Sequence, residues 1–154
     1  MKMKWLGVAL AVVILSLAVV RVASAAEVSG TGWIRAIGAG WATVDGSGTV
    51  VITGHGVGTV WIKGAETIQA EGVGRRFHLG DWTVFVGYDG QITAMGQDMS
   101  VRMAGSQIEF TAWGRGTVTL RGRGEYWVRG YHGRWSPTGA TLSFGESEAE
   151  PAPP

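Results

Sequence analysis

Alternate residues along a long stretch of this chain are small and apolar, and this pattern constrains the fold more than any other feature. Every even position from Val28 to Gly64, 19 in all, is Val, Ile, Ala or Gly, whereas the odd positions are mixed and include Trp, Arg, Thr and Asp. Successive side chains on a β-strand point to opposite faces. A period of two sustained this long therefore predicts β-structure with the even residues inward.

Glycine adds a second period, of eight residues. The positions in this series are Gly32, Gly40, Gly48, Gly56, Gly64, Gly72 and Gly80. The repeating unit reads G-x-G-x-[AVI]-x-[AVI]-x, and it returns at residues 114–121 and 122–129. Because glycine lets a chain bend and lets backbones approach closely, we predict short strands of inward aliphatic residues separated by glycine corners.

Two all-β architectures fit these eight-residue units. In an antiparallel meander, folded as a sandwich or barrel, two-residue hairpin loops would shift the inward parity at each turn. An unbroken even series would then require odd loops with glycine bulges. A β-solenoid rounds each corner without changing which residues point inward. We favour the β-solenoid-like fold and keep the meander as the alternative.

The inward parity changes in the middle of the chain. Val84 and Val86 continue the even series, whereas Met99, Val101 and Met103 belong to an odd series. We therefore expect at least one bulge or irregular turn between the two series, near residues 88–90.

The two ends of the chain differ from this body. Lys2 and Lys4 precede an apolar run over residues 5–20 and a small-residue site at residues 23–25, which is typical of a secretory signal peptide. An uncleaved anchor flanked by Arg21 is the alternative, although a helix of this length spans only about 24 Å. We predict a signal peptide at 1–25, an all-β repeat domain at 26–145 that ends in a strand at 140–144, and a disordered acidic Pro-rich tail at 146–154.

Known catalytic motifs do not occur in this sequence. The G-x-G triplets do not continue to G-x-x-G, and there is neither a Walker loop nor a G-x-S-x-G elbow. His55, His78 and His132 lack metal-ligand spacing, and acids such as Glu109 and Glu125 are scattered. We expect no enzymatic activity, no cofactor and no metal site. The chain has no cysteine, so its stability cannot come from disulfides.

One part of the sequence has the composition of a binding surface. Residues 113–135 contain five arginines and a single acid, Glu125. Guanidinium groups suit carboxylate, sulfate or phosphate, and aromatic rings stack on sugars or bases. Seven residues of odd parity are predicted to share one outward, ligand-binding face: Trp113, Arg115, Arg121, Arg123, Trp127, Arg129 and Tyr131. The alternative is that they only cover an exposed sheet by stacking and cross-strand pairing.

Residues 46–54, with the sequence GSGTVVITG, resemble the G-S-G-x-[VI]-x-[VI]-x-G units of glycine-rich head domains from candidate secreted bacterial adhesins. The resemblance covers residues 28–64 and 112–130, while residues 82–103 depart from it. It implies a β-solenoid fold and assigns no functional residues.

These observations predict an exported protein, located in the periplasm, at the cell surface or outside the cell. We expect a non-enzymatic structural or adhesive module of the cell envelope. The alternative is a carbohydrate- or polyanion-binding domain that uses the arginine and tryptophan residues. The expected partners are an acidic polysaccharide or envelope component rather than nucleic acid, and a second copy of the chain through unpaired strand ends. After signal cleavage we expect no membrane span.

The signal-peptide prediction can be checked by mass. Intact-mass measurement of the exported protein should show an N-terminus within a residue or two of Ala26, because residues 23–25 form the small-residue cleavage site. Full-length protein in the membrane fraction would instead support the anchor.

Overall fold

The described part of the chain consists of strands and their connections. The computed structural model describes residues 29–30, 32–128 and 131–145, so the predicted signal peptide and the predicted tail lie outside it. The strands are β1 (Ser29–Gly30), β2 (Trp33–His55), β3 (Thr59–Lys63), β4 (Thr67–Leu79), β5 (Trp82–Val128), β6 (Tyr131–Arg134) and β7 (Ala140–Phe144). The predicted all-β class and the predicted last strand are confirmed.

The long strand β5 organises the sheet. β2, β4, β6 and β7 all pair with it in antiparallel fashion, and β1 pairs in parallel with β7. β3 lies between two segments of β5, because Val60 is opposite both Phe85 and Met103. The antiparallel sheet is not closed within the described residues.

The strand β2 winds back on itself. Ala112 of β5 has two partners in β2, with Ile34 on one side and Val50 on the other. Two strand spacings are about 10 Å, whereas a straight strand running from residue 34 to residue 50 would be about 53 Å long. β2 therefore completes one turn over the length of two eight-residue units.

This winding arranges the strand segments in two rows. The first row contains residues 125–128, 34–38, 108–112, 50–54, 90–94 and 68–72, in that spatial order. The second row contains residues 140–144, 116–120, 42–46, 99–103, 60–62 and 83–85. Inward side chains of both rows meet in a single core cluster, to which the first row contributes Ile34 and Phe110 and the second row Val44 and Leu120.

Glycine lies opposite glycine where the chain passes from one row to the other. Gly40 is opposite Gly122, and Gly48 is opposite Gly114. Gly48 has a φ of 135°, and a Cβ on it would overlap the carbonyl oxygen of Trp113 and lie 2.9 Å from the Cα of Gly114. The corners therefore depend on backbone contact that a side chain would prevent.

Three register shifts change the inward parity along β5. Gly46 and Gly48 of β2 are two residues apart, but their partners Met99 and Gly96 are three apart. The same offset occurs at residues 105–108, opposite β2, and at residues 86–89, opposite β4. The last of these lies where the sequence predicts an irregularity, whereas the other two were not located by the sequence.

The shift at residues 86–89 corrects one prediction about the core. Phe85 belongs to the core cluster, whereas Val84 is buried outside that cluster and lies opposite Trp61 of β3. The inward series in this segment is therefore odd, and Val84 and Val86 do not point inward as predicted. The even series begins only at Tyr88.

Alanine substitutions at Gly48 and Gly56 separate two effects on stability, which are close contact with a neighbouring backbone and an unfavourable φ. Gly48→Ala should lower the free energy of unfolding by more than about 3 kcal/mol, because it adds an overlap to an unfavourable φ. Gly56 has a φ of 72°, and a Cβ on it would have its nearest neighbour at 3.9 Å. Gly56→Ala should therefore cost only about 1–2 kcal/mol. Equal losses in urea denaturation would contradict the assignment of close approach to Gly48.

Candidate ligand-binding surface

The seven candidate residues do not share one face. Trp127 belongs to the first row and Trp113 lies next to it, whereas Arg121 pairs with Trp41 next to the second row. Arg115 lies between Gly114 and Gly116 at one set of corners, and Arg123 lies between Gly122 and Gly124 at the other. Alternation determines whether a side chain points in or out. A bend every eight residues reverses the outward direction, so residues of equal parity are distributed around the molecule.

Tyr131 contacts the edge of the core instead of the proposed face. It pairs with the buried Val128, and its ring centroid is 5.9 Å from that of Tyr126. Burial, together with a hydrogen bond and an electrostatic interaction with Tyr131, raises the pKa of Tyr126 to about 12. Gly133 lies opposite Tyr126 and leaves room for its ring. The remaining candidate, Arg129, lies outside the described residues.

Charges on the outer side of the first row are largely compensated. Arg35 Nη2 donates a hydrogen bond to Glu109 Oε1 at 2.8 Å, and the other carboxylate oxygen is 3.7 Å from His55 Nε2. Trp127 stacks on His132 with centroids 5.0 Å apart and planes 8° apart, and His132 Nε2 is 3.7 Å from a carboxylate oxygen of Glu125. These side chains form contacts with one another, as the alternative interpretation of the sequence expects.

Arg121 and Arg123 are the two candidates that lie together. They line a shallow open groove with Trp41, Pro137 and two corner glycines. Arg121 Nε donates to the carbonyl oxygen of Pro137 at 3.4 Å, and Trp41 is 54% exposed. This groove is one end of a larger surface on the outer side of the second row.

That surface combines aromatic rings with cations. Trp41 stacks on Trp61 with ring centroids 5.8 Å apart and planes 6° apart. Arg102 is opposite Trp61, and its Cζ lies 4.7 Å from the ring centroid of Trp82. Lys63 Nζ lies 5.9 Å from the same centroid. We define the tryptophan–cation face by its members, which are Trp41, Trp61, Lys63, Trp82, Arg102 and Arg121.

The cations of this face are less compensated than those of the first row. Lys63 Nζ is 3.6 Å from a carboxylate oxygen of Asp81, which is itself 82% exposed. Among the described residues, no carboxylate lies within 4.0 Å of the guanidinium groups of Arg102 and Arg121. Asp45 is another exposed acid of this row, and it lies opposite Ser100 and Thr117. No carboxylate of the described residues therefore neutralises these two guanidinium groups, whose planar donors suit anions.

Sequence reasoning missed most of this face. Arg121 was a candidate, whereas Trp41 and Trp61 appeared only as odd, outward positions. Arg102 and Trp82 are at even positions. They point outward because the register shifts make the odd positions inward in their segments. Trp41 and Trp61 could have been grouped by assigning alternate eight-residue units to opposite sides of the coil.

Comparisons with protein-family models, curated proteins and solved structures gave no match. In the ranges that the structure describes, no group of three or more His, Asp or Glu side chains could hold a metal ion. Nor does this part of the chain contain a helix that is long and apolar enough to cross a membrane.

The raised pKa of Tyr126 predicts a loss of stability in alkaline solution. Its ordinary pKa is 10.0 and its folded value is about 12, so the folded protein favours the neutral phenol. This contribution is fully present below pH 10, and it is lost as the pH rises through about 12 because the unfolded chain ionises first. Urea denaturation at several pH values should show a smaller alkaline loss for Tyr126→Phe than for the wild type. Identical losses would contradict the assignment.

Proposed function

We propose that this protein is a non-enzymatic adhesive module of the cell envelope that holds an anionic polysaccharide on the tryptophan–cation face. The observation that carries the proposal is the interleaving of three indoles with two guanidinium groups that no described carboxylate neutralises. Indoles stack on the apolar faces of sugar rings, and guanidinium groups donate paired hydrogen bonds to carboxylate or sulfate.

The side chains of the tryptophan–cation face are held in place by packing, which favours binding. Val84 is buried on the same side of the sheet as its partner Trp61, and the core residues Met103 and Ile62 lie on the strands that carry Arg102 and Trp61. Side chains held by a packed sheet lose little further conformational freedom when a ligand binds. The mutual stacking of Trp41 and Trp61 restricts both rings in the same way.

The winding of β2 and β5 supports a solenoid-like scaffold over a simple meander. Residues one turn apart, such as Ile34 and Val50, flank the same residue of the opposing strand, Ala112. We propose that the two strands form a coiled antiparallel ribbon. This ribbon is the scaffold of the adhesive module, as the β-solenoid is in the head domains that residues 46–54 resemble. Such a scaffold displays different outward side chains on its two sides.

We propose a polysaccharide in preference to nucleic acid because the N-terminal segment has the pattern of an export signal. An exported protein meets acidic polysaccharides of the cell envelope. Stacking on indoles alone does not separate the two ligand classes, because both sugars and bases stack on aromatic rings.

Binding to a polyuronate should depend on salt and on the tryptophan–cation face. Arg121→Gln should weaken binding about tenfold and reduce the salt dependence, because one charge pair with the polymer is lost. Trp41→Ala should weaken binding by about three- to tenfold with little change in salt dependence, because stacking is lost instead of charge. Titration calorimetry at several salt concentrations measures both effects.

Arg115→Gln is the matched control, because Arg115 is an exposed arginine outside the tryptophan–cation face. It should leave the affinity nearly unchanged. Equal losses for Arg115→Gln and Arg121→Gln would indicate non-specific attraction and contradict the proposal. Tighter binding of single-stranded DNA than of polyuronate would also contradict it.

A further inference from the structure

We infer that the tryptophan–cation face binds an internal stretch of a linear acidic glycan that lies diagonally across the strands. This inference rests on the proposed function and adds the direction and minimum length of the ligand. The register places Arg121 beside Trp41 at one end of the face, and Lys63 and Trp82 at the other. Trp61 and Arg102 lie between these ends.

The register also gives the dimensions of the path. From Arg121 the pairing leads through Trp41, Ala104 and Thr59 to Val86, which is four strand spacings away. Trp82 lies on that same segment, four residues along the strand from Val86. Four spacings are about 19 Å and four residues about 13 Å, so the diagonal is roughly 23 Å long. One sugar ring can cover only one indole, so occupying the whole path requires an oligomer.

The contacts along this path leave hydrogen-bond donors available to such a ligand. A guanidinium that stacks over a ring, as that of Arg102 does over Trp82, keeps N–H groups at its edge to donate to an anion. Arg121 makes its described hydrogen bond through Nε, to the carbonyl oxygen of Pro137. This hydrogen bond does not use the terminal nitrogens of Arg121. The ends of the path are open because Trp41 borders a shallow groove and Lys63 is exposed.

Because the proposed path is longer than one sugar, the affinity for an acidic oligomer should depend on the length of that oligomer. Calorimetry with uronate oligomers of increasing length should show affinity rising with each added sugar and levelling off once the oligomer spans the path, because successive groups bind at high effective concentration. Trp82→Ala should weaken the binding of long oligomers about tenfold and that of the dimer much less, because a dimer is too short to reach Trp82 from the Arg121 end of the path. Trp82→Phe, which keeps a ring at this position, should restore most of the loss.

The possible outcomes separate this inference from the proposed function. If a uronate dimer binds as tightly as the polymer, or if Trp82→Ala weakens dimer and polymer equally, the extended path is wrong, although acidic-glycan binding remains. If no acidic oligomer or polymer binds to the folded protein, both proposals are wrong. If Trp82→Ala fails to fold, Trp82→Leu takes its place, because leucine fills the position without a ring that could stack on a sugar, and it should weaken the binding of long oligomers more than that of the dimer.

Discussion

Glycine backbones contact one another at the corners, and the winding of β2 and β5 requires this contact. At Gly48 a Cβ would overlap the carbonyl oxygen of Trp113, and the facing residue across the strands is Gly114. Without a side chain on either strand, the ribbon can turn while neighbouring strands remain paired. The turn brings Ile34 and Val50 to either side of Ala112, and it directs the inward residues of both rows into one core.

The same turns give the molecule two chemically different outer surfaces. On the first row Arg35 forms an ion pair with Glu109, whereas on the second row the guanidinium of Arg102 lies over the indole of Trp82. A charge compensated by its own neighbour gains little from a ligand, while a guanidinium held over a ring remains available to an anion. The proposed binding role therefore follows from where each eight-residue unit faces, and the arginine count of residues 113–135 was an incomplete guide to it.

Much of the fold could be predicted from the sequence because alternation and glycine spacing are local. The even series identified inward residues such as Val44 and Val118 and the all-β class. The side of the molecule on which each arginine lies could not be predicted, because parity separates inward from outward residues without saying which row they belong to. The odd inward series of Met99 and Met103 was predicted, but the positions of the register shifts at residues 96–99 and 105–108 were not, because they depend on pairing with β2 rather than on local composition. Arg102 and Trp82 were missed for the same reason.

β2 and β5 wind together so that residues one turn apart share a neighbour on the opposing strand. Nuclear Overhauser contacts between backbone protons test this directly, because they report pairs of residues on adjacent strands. Ala112 should have cross-strand contacts with both Ile34 and Val50, and Phe110 should have them with both Ala36 and Ile52. Contacts from Ala112 and Phe110 to only one of these two segments of β2 would contradict the winding, and with it the separation of the two outer surfaces.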